Sequence, residues 1–381
     1  MRFLHTSDWH IGRSFHNVSL LQDQAYILEQ IIDIARTEKV AAILVAGDIY
    51  DRSVPPATAV ELLDRVVDKI IVELKISLII IPGNHDSAQR LGFASRQLQR
   101  SGLYILGELQ PEPESVVLTD EHGEVAFWGL PYADPAMVRS AFKVEASSHD
   151  QAIEVLCNAA IGQFQPGQRN VALSHCFIDG GSESDSERPL SIGGADRVNW
   201  QHFSEFDYVA LGHLHGRQFK GRQCIRYSGS ILKYSFSEEQ QIKSVAIVSM
   251  GAKGECDIHQ VALQPLRNMR SITGELKQIL ECAEEDPHRD DYLLIKLTDS
   301  QAILDVMGKL RAWYPNILHL ERPGLMALKS ATGMQPQQIN ANEMSMFTDF
   351  FTQVMDRELT GDESSLVQQI IEDLHGEGSQ T

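Results

Sequence analysis

The chain has 381 residues, and its 33 basic and 52 acidic side chains give it a net charge of −19 at pH 7. Apolar residues make up 43% of the sequence and charged residues 22%, which is ordinary for a folded globular protein and excludes disorder over the whole length. This length predicts two or three domains. The strong negative charge argues against a protein that coats nucleic acid.

The sequence contains no sign of a membrane or secreted protein. Its longest apolar runs, such as 41–46 and 78–82, are far too short to cross a bilayer. His5 and Asp8 stand where a signal peptide needs apolar residues. The five cysteines are scattered without a Cys-x-x-Cys pair, so neither a zinc knuckle nor a disulfide framework is expected. We therefore predict a cytoplasmic protein.

Strand-like and helix-like segments alternate over the first 250 residues, which predicts a layered α/β domain. Short apolar runs bounded by turn residues predict buried strands at 3–5, 41–45, 78–81, 171–173 and 208–211. Apolar residues at helical spacing predict helices at 20–37, 57–74 and 151–164. Two further strands, at 245–248 and 256–263, are expected to complete the sheet.

The pattern changes near Pro265, where a second part of the chain begins. Helix 274–283, strand 292–297, helix 302–314 and strand 317–320 predict a small α/β domain. Two helices with an apolar stripe are expected in the tail, at 346–357 and 364–374. The predicted domains are therefore 1–265, 266–324 and 325–381.

Five of the predicted strands run directly into side chains that commonly bind metals. In chain order these residues are Asp8 and His10, Asp48, Asn84, His175, and His213 with His215. In an open, mostly parallel sheet the carboxyl ends of the strands meet at one edge, so we expect the seven side chains to share one crevice. Asp, Asn and His supply hard oxygen and borderline nitrogen donors, which suit divalent cations.

Each of these motifs is weak evidence by itself. Gly-Asp and Gly-Asn-His-Asp also occur as ordinary turns, and a single buried histidine is usually a hydrogen-bonded core residue. All five in this order, each after an apolar strand, predict a centre for two cations. Two ions ~3.5–4 Å apart can activate a hydroxide and stabilise an in-line displacement at phosphorus.

The order DxH…GDxxD…GNHD…H…GHxH resembles the calcineurin-like metallophosphoesterase superfamily. The resemblance implies two β-sheets flanked by helices and a two-metal centre bridged by Asp48. It implies that one ion is bound by Asp8, His10 and His215, and the other by Asn84, His175 and His213. It also makes His85 the histidine that protonates the leaving oxygen or stabilises the transition state, and Asp51 the carboxylate that orients His85.

Longer segments are similar to SbcD, a family of bacterial nuclease subunits. These segments are 5–12, 47–56, 83–87, 186–194 and 227–235. The resemblance implies a manganese-dependent nuclease with double-strand exonuclease and single-strand or hairpin endonuclease activity. It also implies a complex with an SbcC-type ATPase. In this heterotetramer two copies of the chain form a homodimer, and the complex acts on DNA ends in repair, recombination and replication.

One stretch without acidic residues, 87–107, directly follows the Gly-Asn-His-Asp motif, and another, 208–237, surrounds His213 and His215. Their basic side chains give a local positive charge that can hold a phosphodiester despite the overall negative charge. We predict Arg90, Arg217 and Lys220 as DNA contacts. The alternative for these residues is an ordinary solvated surface.

Other functions fit part of the sequence. A stand-alone metallophosphoesterase acting on a small phosphodiester, such as a cyclic nucleotide, would use the same centre. A scaffold protein with a dispensable metal site is disfavoured by the complete ligand set. The tail favours the nuclease complex, because apolar anchors at every third or fourth residue of a helix can fill a groove of the ATPase. Its alternative is a helix pair packed on its own domain.

Overall fold

A computed structural model describes residues 1–188, 196–301, 303–323 and 359–377, together with residues 344, 347, 348, 351 and 357. The chain divides into two compact units, Met1–Leu266 and Arg267–Thr381. Among the residues described, no helix combines the length and apolar character that a membrane span requires.

The first unit contains two mixed β-sheets. Its strands are β1 (Arg2–Thr6), β2 (Ser14–Phe15), β3 (Val18–Ser19), β4 (Ala42–Ala46), β5 (Ser77–Ile81), β6 (Leu103–Ile105), β7 (Val116–Asp120), β8 (Gly123–Leu130), β9 (Arg169–His175), β10 (Phe177–Ile178), β11 (Arg197–Val198), β12 (Tyr208–Gly212), β13 (Gln218–Lys220), β14 (Arg222–Tyr227), β15 (Ser244–Met250) and β16 (Cys256–Ala262). The first sheet has the order β16-β15-β1-β4-β5-β6 and the second β13-β14-β12-β9-β8-β7. The central strands of each sheet are parallel.

Helices connect these strands. They are α1 (Leu21–Thr37), α2 (Ala57–Asp68), α3 (Ala88–Leu91), α4 (Ser95–Leu98), α5 (Pro135–Phe142) and α6 (His149–Ile161). A π-helical turn, Lys69–Glu73, continues directly from α2, so the helix predicted at 57–74 changes its hydrogen-bonding pattern before it ends. Short 3₁₀ turns lie at Gln99–Ser101, Trp200–Phe203 and Phe236–Glu238.

The two sheets face each other across an apolar core. Phe3 of the first sheet makes edge-to-face contacts with Phe127 and Tyr208 of the second, with ring centroids 5.8 and 5.4 Å apart. The opposite face of the second sheet packs against α6, where Ile153 and Leu156 are buried. The fold is therefore the two-sheet, helix-flanked arrangement that the family resemblance implies.

The second unit contains a parallel three-stranded sheet. Its elements are β17 (Met269–Gly274), α7 (Leu276–Ala283), β18 (Tyr292–Leu297), α8 (Val306–Arg311), β19 (Ile317–Glu321) and α9 (Gly361–Glu377). The sequence prediction that a helix begins at Gly274 is wrong, because Gly274 is the last residue of β17 and α7 begins at Leu276. Most residues of β17 are only half-buried, so its apolar signal is weak. The predicted helix 364–374 lies within α9, whereas helix 346–357 lies largely outside the described residues.

Candidate metal centre

The centre lies where the carboxyl ends of strands from both sheets meet. Strands β1, β4 and β5 of the first sheet and β9 and β12 of the second end there. The strand pattern by itself suggested one sheet edge, whereas the family resemblance implied two sheets, and the structure has two facing sheets. The two sheets approach each other tightly at Gly212, where a Cβ would overlap the Ala46 carbonyl, so only glycine fits.

Four of the predicted metal-binding residues have left-handed backbone conformations. The φ angles are 52° at Asp8, 46° at His10, 53° at Asp48 and 105° at His213. Such a conformation costs of order 1–3 kcal/mol for a residue other than glycine and is concentrated at functional sites. These turns aim the side chains into the crevice and do not continue the strands. Gly83 serves the same crevice, because a Cβ there would overlap the Asp48 carboxylate.

The Asp48 carboxylate occupies the middle of the cluster. Its Oδ1 accepts a hydrogen bond from the main-chain N–H of His85, with an N···O distance of 2.9 Å. Its Oδ2 lies 3.6 Å from Nε2 of His10, 3.6 Å from Nε2 of His175 and 4.0 Å from Nε2 of His85. One oxygen thus faces histidines from three different strand ends, which is the geometry that a bridging ligand requires.

The remaining predicted ligands surround this carboxylate in two groups. On one side, Asp8, His10 and His215 bring donor atoms within 4.8 Å of one another, and Nε2 of His10 lies 3.1 Å from Nε2 of His215. Asp8 also forms such a group with Asp48 and His175.

The other side of the carboxylate carries the remaining two residues. Asn84 Oδ1 is 2.9 Å from Nε2 of His175. The ring centroid of His213 lies 5.4 Å from that of His175. The structure therefore brings all seven residues together.

The electrostatics of the crevice fit divalent cations. Burial, followed by the charge of Asp48, raises the pKa of Asp8 well above its ordinary value. Burial and the neighbouring histidines lower the pKa of His10 and His213 well below the ordinary value, so these rings are neutral. Neutral imidazoles and carboxylates are the forms that bind metals. Nε2 of His10 faces the Asp48 carboxylate and His215, whereas its Nδ1 has no hydrogen-bond partner among the described residues.

Comparison with known proteins identifies the family. A family model described as calcineurin-like phosphoesterase matches residues 1–217, and an SbcD C-terminal model, described as Type 5 capsule protein repressor C-terminal domain, matches residues 265–357. The chain is 33% identical to the SbcD subunit of the nuclease SbcCD of Staphylococcus saprophyticus over the full length of both proteins. The chain belongs to the SbcD family of calcineurin-like phosphoesterases.

Another relative carries the same name. The SbcD subunit of the nuclease SbcCD of Staphylococcus epidermidis is 36% identical over 84% of this chain and 85% of its own. Among solved structures, a dimetal phosphatase from Danio rerio matches at 12% identity with a TM-score of 0.35, covering 69% of this chain and 99% of its own. That last likeness carries no argument about function. The predicted family resemblance and the fold class are confirmed.

The His85 ring is hydrogen-bonded to the main chain of Asp51, whereas the metallophosphoesterase resemblance implied the Asp51 carboxylate. Its Nδ1 lies 2.8 Å from the main-chain carbonyl oxygen of Asp51, so Nδ1 carries the proton that is donated there. The Asp51 carboxylate instead lies 3.4 Å from the Arg13 guanidinium and 3.8 Å from Nδ1 of His10. In this structure the hydrogen bond to the His85 ring therefore comes from the main chain of residue 51, and the orienting role of the Asp51 carboxylate stays a prediction.

Asp86, the last residue of the Gly-Asn-His-Asp motif, was missed as a functional residue. Its carboxylate accepts hydrogen bonds from the main-chain N–H groups of Ile49, Tyr50 and Gly83, with N···O distances of 2.9 to 3.0 Å. These bonds join the loop that carries Asp48 to the loop that carries His85. Burial and the charge of Asp48 raise the pKa of Asp86 to about 7. The motif itself contained this signal.

Gln24 was also missed, and it holds the loop of Asp8 and His10. Its side-chain amide donates to the His10 carbonyl at 2.7 Å and accepts from the Gly12 N–H at 3.0 Å. Tyr234 reinforces the same loop, because its hydroxyl donates to the Trp9 carbonyl at 2.5 Å. The sequence did contain a signal for this role, because Gln24 is a polar residue on the buried face of the predicted helix 20–37.

The predicted DNA contacts lie on the surface of the first unit. Arg90 at the end of α3 and Arg217 before β13 are exposed. Lys220 is half-buried, and its ammonium donates to the Gly180 carbonyl at 2.5 Å. A role of these three residues in DNA binding stays a prediction.

Proposed function

We propose that this chain is a two-metal nuclease that hydrolyses phosphodiester bonds of DNA. The observation that carries the proposal is the position of the Asp48 carboxylate, which faces histidines from both sheets within 4.0 Å. The SbcD relatives support DNA as the substrate, since they are named as parts of a nuclease. The alternative is that the same centre hydrolyses a small phosphodiester, and the assay must distinguish this substrate from DNA.

Each side chain of the centre has a proposed role. Asp48 would be the ligand shared by the two ions. Asp8, His10 and His215 would complete one site, and Asn84, His175 and His213 would complete the other. Two such ions, when bound, supply an activated hydroxide and neutralise charge on the phosphoryl oxygens. We expect manganese, because the SbcD resemblance implies it.

His85 is proposed as the general acid. Its Nδ1–H is donated to the Asp51 carbonyl, which fixes the ring and leaves Nε2 directed toward the Asp48 carboxylate at 4.0 Å. When the ring is protonated, the Nε2 proton is therefore the one available for the leaving oxygen. Asp51 acts through its main chain, and its carboxylate holds Arg13 beside His10.

The chain is also proposed to act with an SbcC-type ATPase, as a homodimer within a heterotetramer in the cytoplasm. Helix α9 supports a docking role, because Leu366 and Ile370 are exposed one helical turn apart, with exposed fractions of 60% and 50%. The division into 1–265, 266–324 and 325–381 stays a prediction. Replacing both residues by alanine should prevent co-purification with the ATPase, whereas the exposed neighbour Gln369→Ala should not.

The test of the proposed function is an assay of the purified chain, with and without the ATPase. Linear duplex DNA, hairpin DNA and a cyclic nucleotide are offered in manganese and in magnesium. We expect the DNA substrates to be cut in manganese and the cyclic nucleotide to be a poor substrate. Turnover of the cyclic nucleotide alone would support the small-molecule alternative. A chain that cuts nothing but binds the ATPase would support the scaffold.

A further inference from the structure

A buried polar network lies behind His215, on the side of the ring that faces away from His10. Nδ1 of His215 lies 2.5 Å from the Ser186 hydroxyl and 3.3 Å from Oε1 of Glu238. The Ser186 hydroxyl also contacts that carboxylate oxygen directly. Glu238 has no solvent exposure. The hydroxyl thus stands between the imidazole and a fully buried carboxylate.

Lys243 completes the network from the other side. Its ammonium lies 2.5 Å from Oε2 of Glu238, and it donates to the main-chain carbonyl of His215 at 2.8 Å. Glu187 accepts from the main-chain N–H of His215 at 2.8 Å. His215 is therefore fixed through its ring nitrogen, its carbonyl and its N–H. Because Glu238 bonds to the ring and Lys243 to the backbone, moving either would move the histidine.

This arrangement selects the protonation pattern of the ring. A hydroxyl that donates to a carboxylate presents its lone pair to Nδ1, so Nδ1 of His215 carries a proton. The Nε2 lone pair is then directed into the crevice, 3.1 Å from Nε2 of His10. This is the form of histidine that binds a metal through Nε2.

The second ion site has a different kind of support. Nδ1 of His175 lies 2.9 Å from the main-chain carbonyl of Ala46. That partner is neutral, belongs to the strand β4 and has no titratable side chain. The two sides of the centre therefore differ, because a charged network supports one histidine and the backbone supports the other.

We infer that Glu238, with Ser186 and Lys243, forms a positioning network that stabilises the ion bound by Asp8, His10 and His215, and not its neighbour. This inference rests on the two-metal centre of the proposed function. Carboxylate partners of metal-binding histidines orient the ring and raise its basicity, and their loss typically weakens metal binding by about 10–100-fold. The network also connects residues 184–187, through Ser186 and Glu187, to His215.

The test compares Glu238→Gln with the wild-type chain, both freed of metal by a chelator and titrated with Mn²⁺. We expect one of the two binding constants to weaken by about 10–100-fold while the other stays unchanged. Ser186→Ala should show a smaller loss at the same site, since Glu238 still lies 3.3 Å from the ring. Asp120→Asn is the matched control. It removes the charge from another ion pair, with Arg169, and should leave both constants unchanged.

A second measurement does not depend on metal. The ring nitrogens of His215 in the metal-free chain, observed by ¹⁵N NMR, should report a proton on Nδ1 in the wild type. A proton on Nε2 alone would overturn the inference, whatever the metal stoichiometry. So would unchanged binding constants in both variants, or loss of both ions in Glu238→Gln with none in Ser186→Ala. If the wild type binds no metal, the proposed function fails independently.

Discussion

Two charged clusters in the first unit differ in how their carboxylates are neutralised. Asp120 lies against Arg169, with N···O distances of 2.6 and 3.1 Å, and this guanidinium lowers the pKa of Asp120. At the opposite extreme, burial and like charge raise the pKa of Asp8 well above its ordinary value. Over the described ranges, no lysine or arginine nitrogen lies within 4.0 Å of the Asp8 or Asp48 carboxylates.

The difference separates a structural ion pair from a site that needs a ligand. The Asp120–Arg169 pair is complete within the chain, so removal of one partner should affect stability alone. The carboxylates of Asp8 and Asp48 lie in a cluster of histidines. In it, the lowered pKa values of His10 and His213 leave these two rings able to contribute lone pairs but no positive charge. Cations bound in the crevice would balance the charge of the two carboxylates. The predictions below test this contrast.

The largest effect is expected for Asp48→Ala. Because this side chain faces both groups of donors, its loss should abolish the binding of both ions and reduce nuclease activity to background. Elemental analysis and a nuclease assay on the same preparation measure the two outcomes. The alternative role, a turn-capping aspartate, predicts only a stability loss of about 0.5–2 kcal/mol. Two ions retained per mutant chain would therefore remove Asp48 from the centre.

His85→Ala should separate chemistry from binding. The ring approaches the Asp48 carboxylate only at 4.0 Å, so the variant should keep both ions and bind DNA with wild-type affinity. Its turnover should fall by about 10²–10⁴-fold, the usual contribution of a general acid. Single-turnover kinetics at saturating DNA measure this loss. Near-normal cutting would give His85 a structural role only.

Asp120→Asn should change stability and not metal binding. The charged hydrogen bonds to Arg169 contribute about 1.5–3 kcal/mol to the free energy of unfolding at pH 7. Because the pKa of Asp120 is lowered in the folded chain, this contribution is present above the ordinary carboxyl range near pH 4 and is lost as the pH falls through the folded pKa. The free energies of unfolding of the mutant and the wild type, measured with urea, should differ less at pH 3 than at pH 7. A difference independent of pH would contradict the assignment.

Asp51→Asn should reduce turnover much less than His85→Ala does. The main-chain carbonyl that holds Nδ1 of His85 survives the substitution, so the loss should remain well below the 10²–10⁴-fold expected of a general acid. The measurement compares the turnover rate of Asp51→Asn with that of His85→Ala. Equal losses in the two variants would restore the carboxylate as the partner of His85.

The sequence predicted the seven donors because each follows a strongly apolar strand and several follow a glycine. It could not predict that β9 and β12 belong to a second sheet, since apolar periodicity does not reveal which strands pair. The hydrogen bond from His85 to the main-chain carbonyl of Asp51 was not predicted, because a sequence motif names a residue and not the atom that makes the contact. Gln24 and Glu238 were missed because polar residues in helices and turns usually lie on the surface.

The central claim is that the crevice between the two sheets binds two ions. The most direct test is native mass spectrometry of the full chain, stripped of metal and then exchanged into Mn²⁺, beside Asp48→Ala and Asp120→Asn. We expect two ions in the wild type and in Asp120→Asn, and none in Asp48→Ala. A wild-type chain that binds one ion or none, or an Asp48→Ala chain that still binds two, would contradict it.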